Sequence, residues 1–139
     1  MPYVLDTDTI SALERGDRGA VARKQIVPPS DVFVTIVSMQ EQVAGRLSVL
    51  ARPLTRAKLI EAYQRFSQVL DFYASAKVLP YDDVAAQVDD TLRTTLPRMA
   101  RNDRRIAAMT LAHQATLVTG NTKDYRGVLG LVLEDWISG

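Results

Sequence analysis

Short apolar runs alternate with longer segments of helical periodicity along the whole chain, and this alternation most constrains the fold. The strand-like runs lie at 3–5, 32–37, 77–80, 116–119 and 131–134. Apolar residues at helical spacing occupy the intervals, most clearly over 55–73. Strands that alternate with helices predict a parallel sheet covered on both faces. We therefore expect a three-layer α/β/α fold with a central, mostly parallel sheet.

The length and composition are those of one globular domain. The chain has 139 residues, of which 47% are hydrophobic and 24% are charged, and no long linker divides it, so we expect a single domain over 1–139. It has no cysteine and one histidine, His113, which excludes thiolate sites and multi-histidine zinc sites within one chain. The absence of cysteine fits a cytoplasmic protein. No apolar stretch approaches the roughly 20 residues of a membrane span, so no membrane partner is expected.

Polar residues after the apolar runs predict where helices begin. Ser38–Glu41 has the spacing of a capping box, so we expect a helix to start there and to run to about Leu50. Asn102 or Asp103 is expected to open a later helix.

Four acidic residues share one kind of position, near the carboxyl end of a strand or the start of the next helix: Asp6, Glu41, Asp103 and Asp124. Ligands of open α/β sheets bind at this edge, so the four could converge there. Converging carboxylates repel one another, and a hard cation such as Mg²⁺ relieves the repulsion and can act on a phosphodiester. Each residue alone could instead cap a helix, complete the capping box or occupy a turn.

A cluster of arginines lies in the same region of the sequence. Its four members fall within eight residues: Arg98, Arg101, Arg104 and Arg105. Such a cluster is suited to phosphates, although a solvated helix flank would look the same.

Four segments resemble the motifs of PIN-domain ribonucleases, in order and at similar spacings. They read LDTDTI at 5–10, TIVSMQE at 35–41, NDRRIAA at 102–108 and LVTGNTKDY at 117–125. The ending, with Gly130-Leu131 and then Glu134 to Trp136, is also similar. Two departures stand out: Asp8 replaces a frequent Asn, and Ala100 replaces a frequent Gly.

The resemblance implies an endoribonuclease that uses Mg²⁺ or Mn²⁺ and a metal-activated water to cleave RNA. By position, the quartet Asp6, Glu41, Asp103 and Asp124 would supply both the metal ligands and the catalytic groups. The size and the ending look most like VapC-type toxins of toxin–antitoxin pairs. Such toxins are neutralised by a small antitoxin and usually form homodimers, so RNA, an antitoxin and a second copy are the expected partners.

Two alternatives remain open from the residues alone. The segment 4–9 also fits the Asp-x-Asp-x-Thr opening of haloacid-dehalogenase-like phosphatases, with Asp6 as nucleophile and with Thr119 and Lys123 in supporting roles. That interpretation leaves Glu41 and Asp103 without a role. The second alternative is a non-catalytic module that binds RNA or a partner, in which the carboxylates only cap helices.

The helix expected over 55–73 carries an apolar stripe of Tyr63, Phe66, Val69 and Tyr73. The stripe could complete the core of this chain, or it could pack against a second subunit or an antitoxin helix.

Overall fold

Five short strands form the central sheet of the computed structural model, which describes residues 1–137. The strands are β1 Tyr3–Leu5, β2 Val32–Thr35, β3 Val78–Leu79, β4 Thr116–Val118 and β5 Val132–Glu134. They lie in the order β3-β2-β1-β4-β5, and every pairing is parallel. The expected α/β sheet is confirmed, and within the described residues it is wholly rather than mostly parallel.

Six α-helices connect the strands. They are α1 Thr7–Glu14, α2 Arg18–Ile26, α3 Ile36–Leu50, α4 Arg56–Ser75, α5 Asp83–Thr95 and α6 Arg101–Ala112. Short 3₁₀ turns occupy Pro29–Asp31 and Thr122–Asp124. Over residues 1–137, the helices are too short or too polar for any of them to cross a membrane.

The two faces of the sheet carry separate apolar cores because successive strand residues point to opposite sides. In β1, Val4 packs with residues of α5 and α6, whereas Leu5 packs with residues of α1, α2 and α4. In β4, Leu117 and Val118 divide in the same way. This arrangement is the expected α/β/α order of layers.

The strand predicted over 32–37 is two residues too long, and the capping-box prediction is wrong. The strand ends at Thr35, whose hydroxyl oxygen accepts a hydrogen bond from the Ser38 backbone N–H at 3.1 Å and caps α3. The β-branched pair Ile36 and Val37 looks like strand, but Val37 is buried in the core from the first turn of the helix. Tertiary packing thus overrides the local strand preference.

Helix α6 begins slightly earlier than expected, at Arg101. Its N-cap is Ala100, which makes no side-chain cap bond, so neither Asn102 nor Asp103 opens the helix. Asp103 lies in the first turn, where a carboxylate still interacts favourably with the helix dipole. Ala100 has φ −58° and ψ 138°, an ordinary conformation for alanine, so the missing glycine does not alter the backbone there.

The apolar stripe of α4 divides between the core and the surface. Val69 and Tyr73 are buried in the core of this chain, so their proposed use as interface anchors is wrong. The Tyr73 hydroxyl donates to Gln42 Oε1 at 2.6 Å, which ties α4 to α3. Tyr63 is 56% exposed and remains available to a partner.

Candidate metal centre

Asp6 follows β1 directly and is nearly inaccessible, with 4% of its surface exposed. Its backbone N–H donates to the Val118 carbonyl at 3.0 Å, and its Oδ1 accepts from the Thr9 backbone N–H at 2.8 Å. Asp6 is therefore the N-cap of α1 as well as a candidate ligand. Burial raises the pKa of Asp6 above its usual range, although hydrogen bonds from Thr119 and Thr9 oppose the rise.

Glu41 lies on the second turn of α3 and faces the start of α1. The Thr7 hydroxyl donates to Glu41 Oε1 at 2.7 Å, and Thr7 Oγ1 lies 3.0 Å from Ser38 Oγ. Because Thr35 rather than Ser38 caps the helix, Glu41 is not the reciprocal member of a capping box. Its carboxylate is instead held toward the residues that follow β1.

Asp103 projects from the first turn of α6 toward the same edge. Its Oδ1 accepts a hydrogen bond from the buried Tyr125 hydroxyl at 3.1 Å. Burial raises the pKa of Asp103, the Tyr125 bond lowers it, and the negative charges of Glu41, Asp124 and Asp8 raise it further. These mutual influences show that the carboxylates lie close enough to repel one another.

Asp124 and Asp8 form the exposed rim of the acidic group. Asp124 ends the 3₁₀ turn that follows β4. The Asn121 side-chain amide donates to Asp8 Oδ2 at 2.6 Å and links that turn to α1. Asp8 thus adds a fifth carboxylate at the position where PIN-domain ribonucleases, which the motifs resemble, often have Asn.

The structure brings the four predicted acidic residues to one edge of the sheet, at the carboxyl ends of the strands. Burial raises the pKa of the Tyr125 hydroxyl, and the negative charges of Asp103, Asp6 and Asp8 raise it further, so Tyr125 lies beside two of the four and beside Asp8. In the part of the chain that the structure describes, no three acidic or histidine side chains form a ready-made ligand set. The donors are all oxygens, which fits Mg²⁺ or Mn²⁺; Mg²⁺ typically takes only one or two direct carboxylates and keeps several waters.

Four residues that support the acidic group were not predicted for the nuclease site, although Thr119 had a role in the phosphatase alternative: Thr7, Thr119, Asn121 and Tyr125. Each forms a hydrogen bond with an acidic side chain of the site. All four lie inside the motif segments 5–10 and 117–125. Hydroxyl and amide residues beside the acidic ones were the only signal in the sequence.

The arginine cluster is smaller than predicted. Arg104 is buried, and its Nε donates to Asp89 Oδ1 at 2.6 Å. The Tyr81 hydroxyl donates to the other Asp89 oxygen at 2.5 Å. Arg104 therefore joins α6 to α5 and cannot contact RNA, whereas Arg98 and Arg101 are exposed.

His113 lies far from the acidic group. It follows the last turn of α6, near the amino end of β4, and its ring packs edge-on against Phe33 with centroids 4.7 Å apart. The structure therefore places it at the opposite edge of the sheet from Asp6.

Comparison with known proteins identifies the fold but no sequence family. No protein-family model matches the chain, and no curated protein matches its sequence. Among solved structures, DNA-bound VapBC from Salmonella typhimurium superposes with a TM-score of 0.81 at 22% identity, covering 98% of each chain. Promoter-bound VapBC2 from Rickettsia felis gives 0.79 at 21% identity, covering 98% of this chain and 99% of that one.

A third structure, VapBC-5 from Mycobacterium tuberculosis, gives a TM-score of 0.66 at 25% identity over 99% of this chain and 98% of that one. These matches cover nearly whole chains, so the likeness is not confined to a common substructure. They bear out, at the level of the fold, the resemblance found in the four motifs. The chain therefore has the PIN-like α/β/α fold found in VapBC toxin–antitoxin complexes.

Proposed function

We propose that this protein is a Mg²⁺- or Mn²⁺-dependent endoribonuclease and the toxin of a VapBC-type toxin–antitoxin pair. One observation carries the proposal. Carboxylates from four separate segments meet at the carboxyl edge of a sheet whose fold is that of VapBC complexes. Helix starts also collect at this edge in a parallel α/β sheet, but of the four residues only Asp6 is an N-cap.

The metal would be held by some or all of Asp6, Glu41, Asp103 and Asp124. The raised pKa values of Asp6 and Asp103 support this assignment, because burial and mutual repulsion are the conditions that a bound cation relieves. When bound, Mg²⁺ would offset the negative charge of the phosphodiester and make a water molecule more acidic.

Hydrogen bonds within the chain would keep these carboxylates in place. The Thr7 hydroxyl orients Glu41, and the Tyr125 hydroxyl orients Asp103 while leaving its second oxygen free of that bond. Exposed Arg98 and Arg101 near the same edge would attract the RNA backbone. The attacking group in this proposal is a water molecule that the metal makes more acidic.

The phosphatase alternative is weaker than the nuclease proposal. It gives Glu41 and Asp103 no role. Yet burial and the nearby charges of Glu41, Asp124 and Asp8 raise the pKa of Asp103, so these residues belong to one group. It also requires Asp6 as a nucleophile, although this side chain is buried and one of its oxygens caps α1.

The toxin assignment rests on the solved neighbours, which are complexes of the VapBC or FitAB type. We propose that a small antitoxin binds this chain and that two copies form a dimer. Exposed apolar side chains on α3 and α4 support a protein interface; they are Leu47, Leu59, Ile60, Tyr63 and Leu70.

The decisive test measures cleavage of single-stranded RNA by the wild type and Asp103→Asn, with Mg²⁺ and with EDTA. We expect cleavage only by the wild type with metal, and a loss on the order of 100-fold or more in the variant. Full activity of folded Asp103→Asn protein would contradict the proposal. Phosphate bound covalently to Asp6, seen by mass spectrometry, would favour the phosphatase instead.

A further inference from the structure

An open pocket of about 490 Å³ adjoins the acidic group. Its walls come from the end of α5, from the 96–100 loop that leads into α6, and from Asp124 and Gly127. Asp124 belongs to both the pocket and the acidic quartet. Anything seated in the pocket therefore lies beside one of the four carboxylates, and the proposed chemistry makes no use of the pocket.

The lining combines apolar and charged groups. Leu96, Pro97 and Met99 supply the apolar surface, and Arg98 and Asp124 supply one charge of each sign. A phosphate would be repelled by Asp124 and would gain nothing from the apolar walls. An unpaired nucleobase fits better, because it has apolar faces and polar edges that amide, carboxylate and guanidinium groups can bond.

The surroundings of the pocket suit the phosphates on either side of such a base. Arg98 lines the pocket and is exposed. Arg126 is exposed and directly precedes Gly127, and the exposed Arg101 begins α6. No ion pair engages these three arginines within residues 1–137. Unpaired cations near an apolar recess match the alternation of phosphate and base along single-stranded RNA.

We propose that this pocket receives one unpaired nucleobase of the RNA, next to the scissile phosphate, and thereby sets the sequence preference of cleavage. This inference rests on the proposed nuclease function. The base packs against Leu96 and Met99, and the Arg98 guanidinium stacks on it or bonds its edge.

Gly127 offers a way to alter the pocket without touching the acidic residues. A Cβ at this position would lie 3.2 Å from Leu96 Cδ2, so the Leu96 side chain must shift slightly in the pocket wall. The φ angle of Gly127 lies outside the left-handed region, so alanine meets no backbone strain there. Gly45 on α3 provides a matched control, because its Cβ would meet nothing within 4 Å.

The experiment incubates a pool of random-sequence, single-stranded RNA with each protein and Mg²⁺, and sequences the new ends. The variants are Gly127→Ala, which crowds the pocket, Met99→Ala, which enlarges it, and Gly45→Ala as control. Thermal melting followed by circular dichroism establishes that each is folded.

We expect the wild type to favour particular bases at one position beside the cleaved bond. Gly127→Ala and Met99→Ala should change the preference at that position alone. For the preferred RNA, Gly127→Ala should lower kcat/KM by about tenfold, mainly through KM, as expected when an apolar pocket gains one methyl group. Met99→Ala removes three heavy atoms from the pocket wall and should lower kcat/KM by at least as much. The Gly45→Ala profile should match that of the wild type.

Two negative results have different meanings. If the wild type cleaves RNA and both folded pocket variants keep its sequence profile, the pocket inference is overturned while the nuclease function stands. If the wild type cleaves no RNA with Mg²⁺ or Mn²⁺, the nuclease function fails, and the pocket inference falls with it.

Discussion

Asp6 has two roles that different substitutions can separate. Its Oδ1 caps α1, and its charge belongs to the acidic group. Asparagine caps a helix as well as aspartate does, whereas alanine does not.

We expect Asp6→Asn to lose metal-dependent cleavage while keeping, or slightly raising, its metal-free Tm, because an ionised group in a buried position is removed. Asp6→Ala should also lose cleavage but be about 1 kcal/mol less stable than Asp6→Asn. Chemical denaturation of metal-free protein compares the two. Equal stabilities would show that the cap contributes nothing.

Tyr125 is expected to act as a positioning residue for Asp103. The Tyr125→Phe variant keeps the buried ring but removes the hydrogen bond to Asp103 Oδ1. Binding of Mn²⁺, measured by calorimetry, should weaken about 10-fold or more, as for other groups that orient metal ligands.

The pH dependence of Tyr125→Phe gives a second measurement. The Tyr125 bond lowers the pKa of Asp103, so its loss should raise that pKa further. The acidic limb of the pH–rate profile should therefore move to higher pH. A variant with unchanged Mn²⁺ affinity and an unchanged profile would limit Tyr125 to core packing.

The acidic residues could be predicted from sequence, but most of their partners could not. Carboxylates that follow strand-like runs can be recognised in the sequence, because ligands of α/β sheets bind at that edge. Thr7, Asn121 and Tyr125 are common residue types that become partners only when distant segments meet. Asn121, for example, bonds Asp8 across 113 positions of sequence.

The buried Arg104–Asp89 pair joins α6 to α5. Asp89 is 1% exposed and accepts hydrogen bonds from both Arg104 and Tyr81. Burial alone would raise the pKa of Asp89, but the hydrogen bonds from Tyr81 and Arg104 and the Arg104 charge outweigh it and lower that pKa.

We expect Arg104→Met to lower the free energy of unfolding by about 3 kcal/mol, because it leaves a buried charge without its cation. The double variant Asp89→Leu/Arg104→Met should be more stable than Arg104→Met, since it removes both charges. Urea denaturation measures all three proteins. A double variant less stable than Arg104→Met would contradict this account.

The same pair predicts a direction for pH dependence. A carboxyl whose folded-state pKa is lowered contributes stability above its unfolded pKa, and that contribution is lost as the pH falls through the folded value. The stability difference between wild type and Arg104→Met should therefore be full at neutral pH. It should shrink as acid protonates Asp89, first in the variant, which lacks the arginine that lowers that pKa. A difference that stays constant down to pH 3 would argue against an ionised Asp89.

Element types could be predicted more readily than element ends. Periodicity marked the helices correctly, but Ile36 and Val37 continued a strand-like run into α3 because side-chain branching carries no information about where the chain turns. Arg104 was misjudged for a related reason. Arg104 belongs to an arginine cluster in which Arg98 and Arg101 are exposed, and only packing of α5 on α6 shows that Arg104 is buried.

The α3–α4 pair presents apolar side chains that stay exposed within residues 1–137. Ile60 and Tyr63 are 52% and 56% exposed on one stretch of α4. We expect light scattering at micromolar concentration to give twice the mass of one chain. The double variant Ile60→Glu/Tyr63→Glu should shift the mass toward that of a monomer, because it places charges in an apolar contact.

A control variant for this test is Val84→Glu, which alters an exposed apolar residue on α5, in the opposite layer. It should leave the mass unchanged. A wild type that is strictly monomeric would remove the dimer from the proposal, although not the nuclease.

The parallel three-layer fold followed from the alternation of strands and helices, but the strand order did not. Which strands become neighbours depends on how the connecting helices pack, and that packing is spread over the whole chain. The separation of the α4 stripe into core and surface has the same origin, since periodicity identifies an apolar face without stating what covers it.

The double role of Asp6 also determines which mutations could remove the proposed activity without unfolding the protein. A single-base change turns an aspartate codon into an asparagine codon, and the resulting side chain still starts α1. A chain with this change would lose the proposed cleavage but keep its fold, so a screen for inactive variants should recover Asp6→Asn as a folded protein.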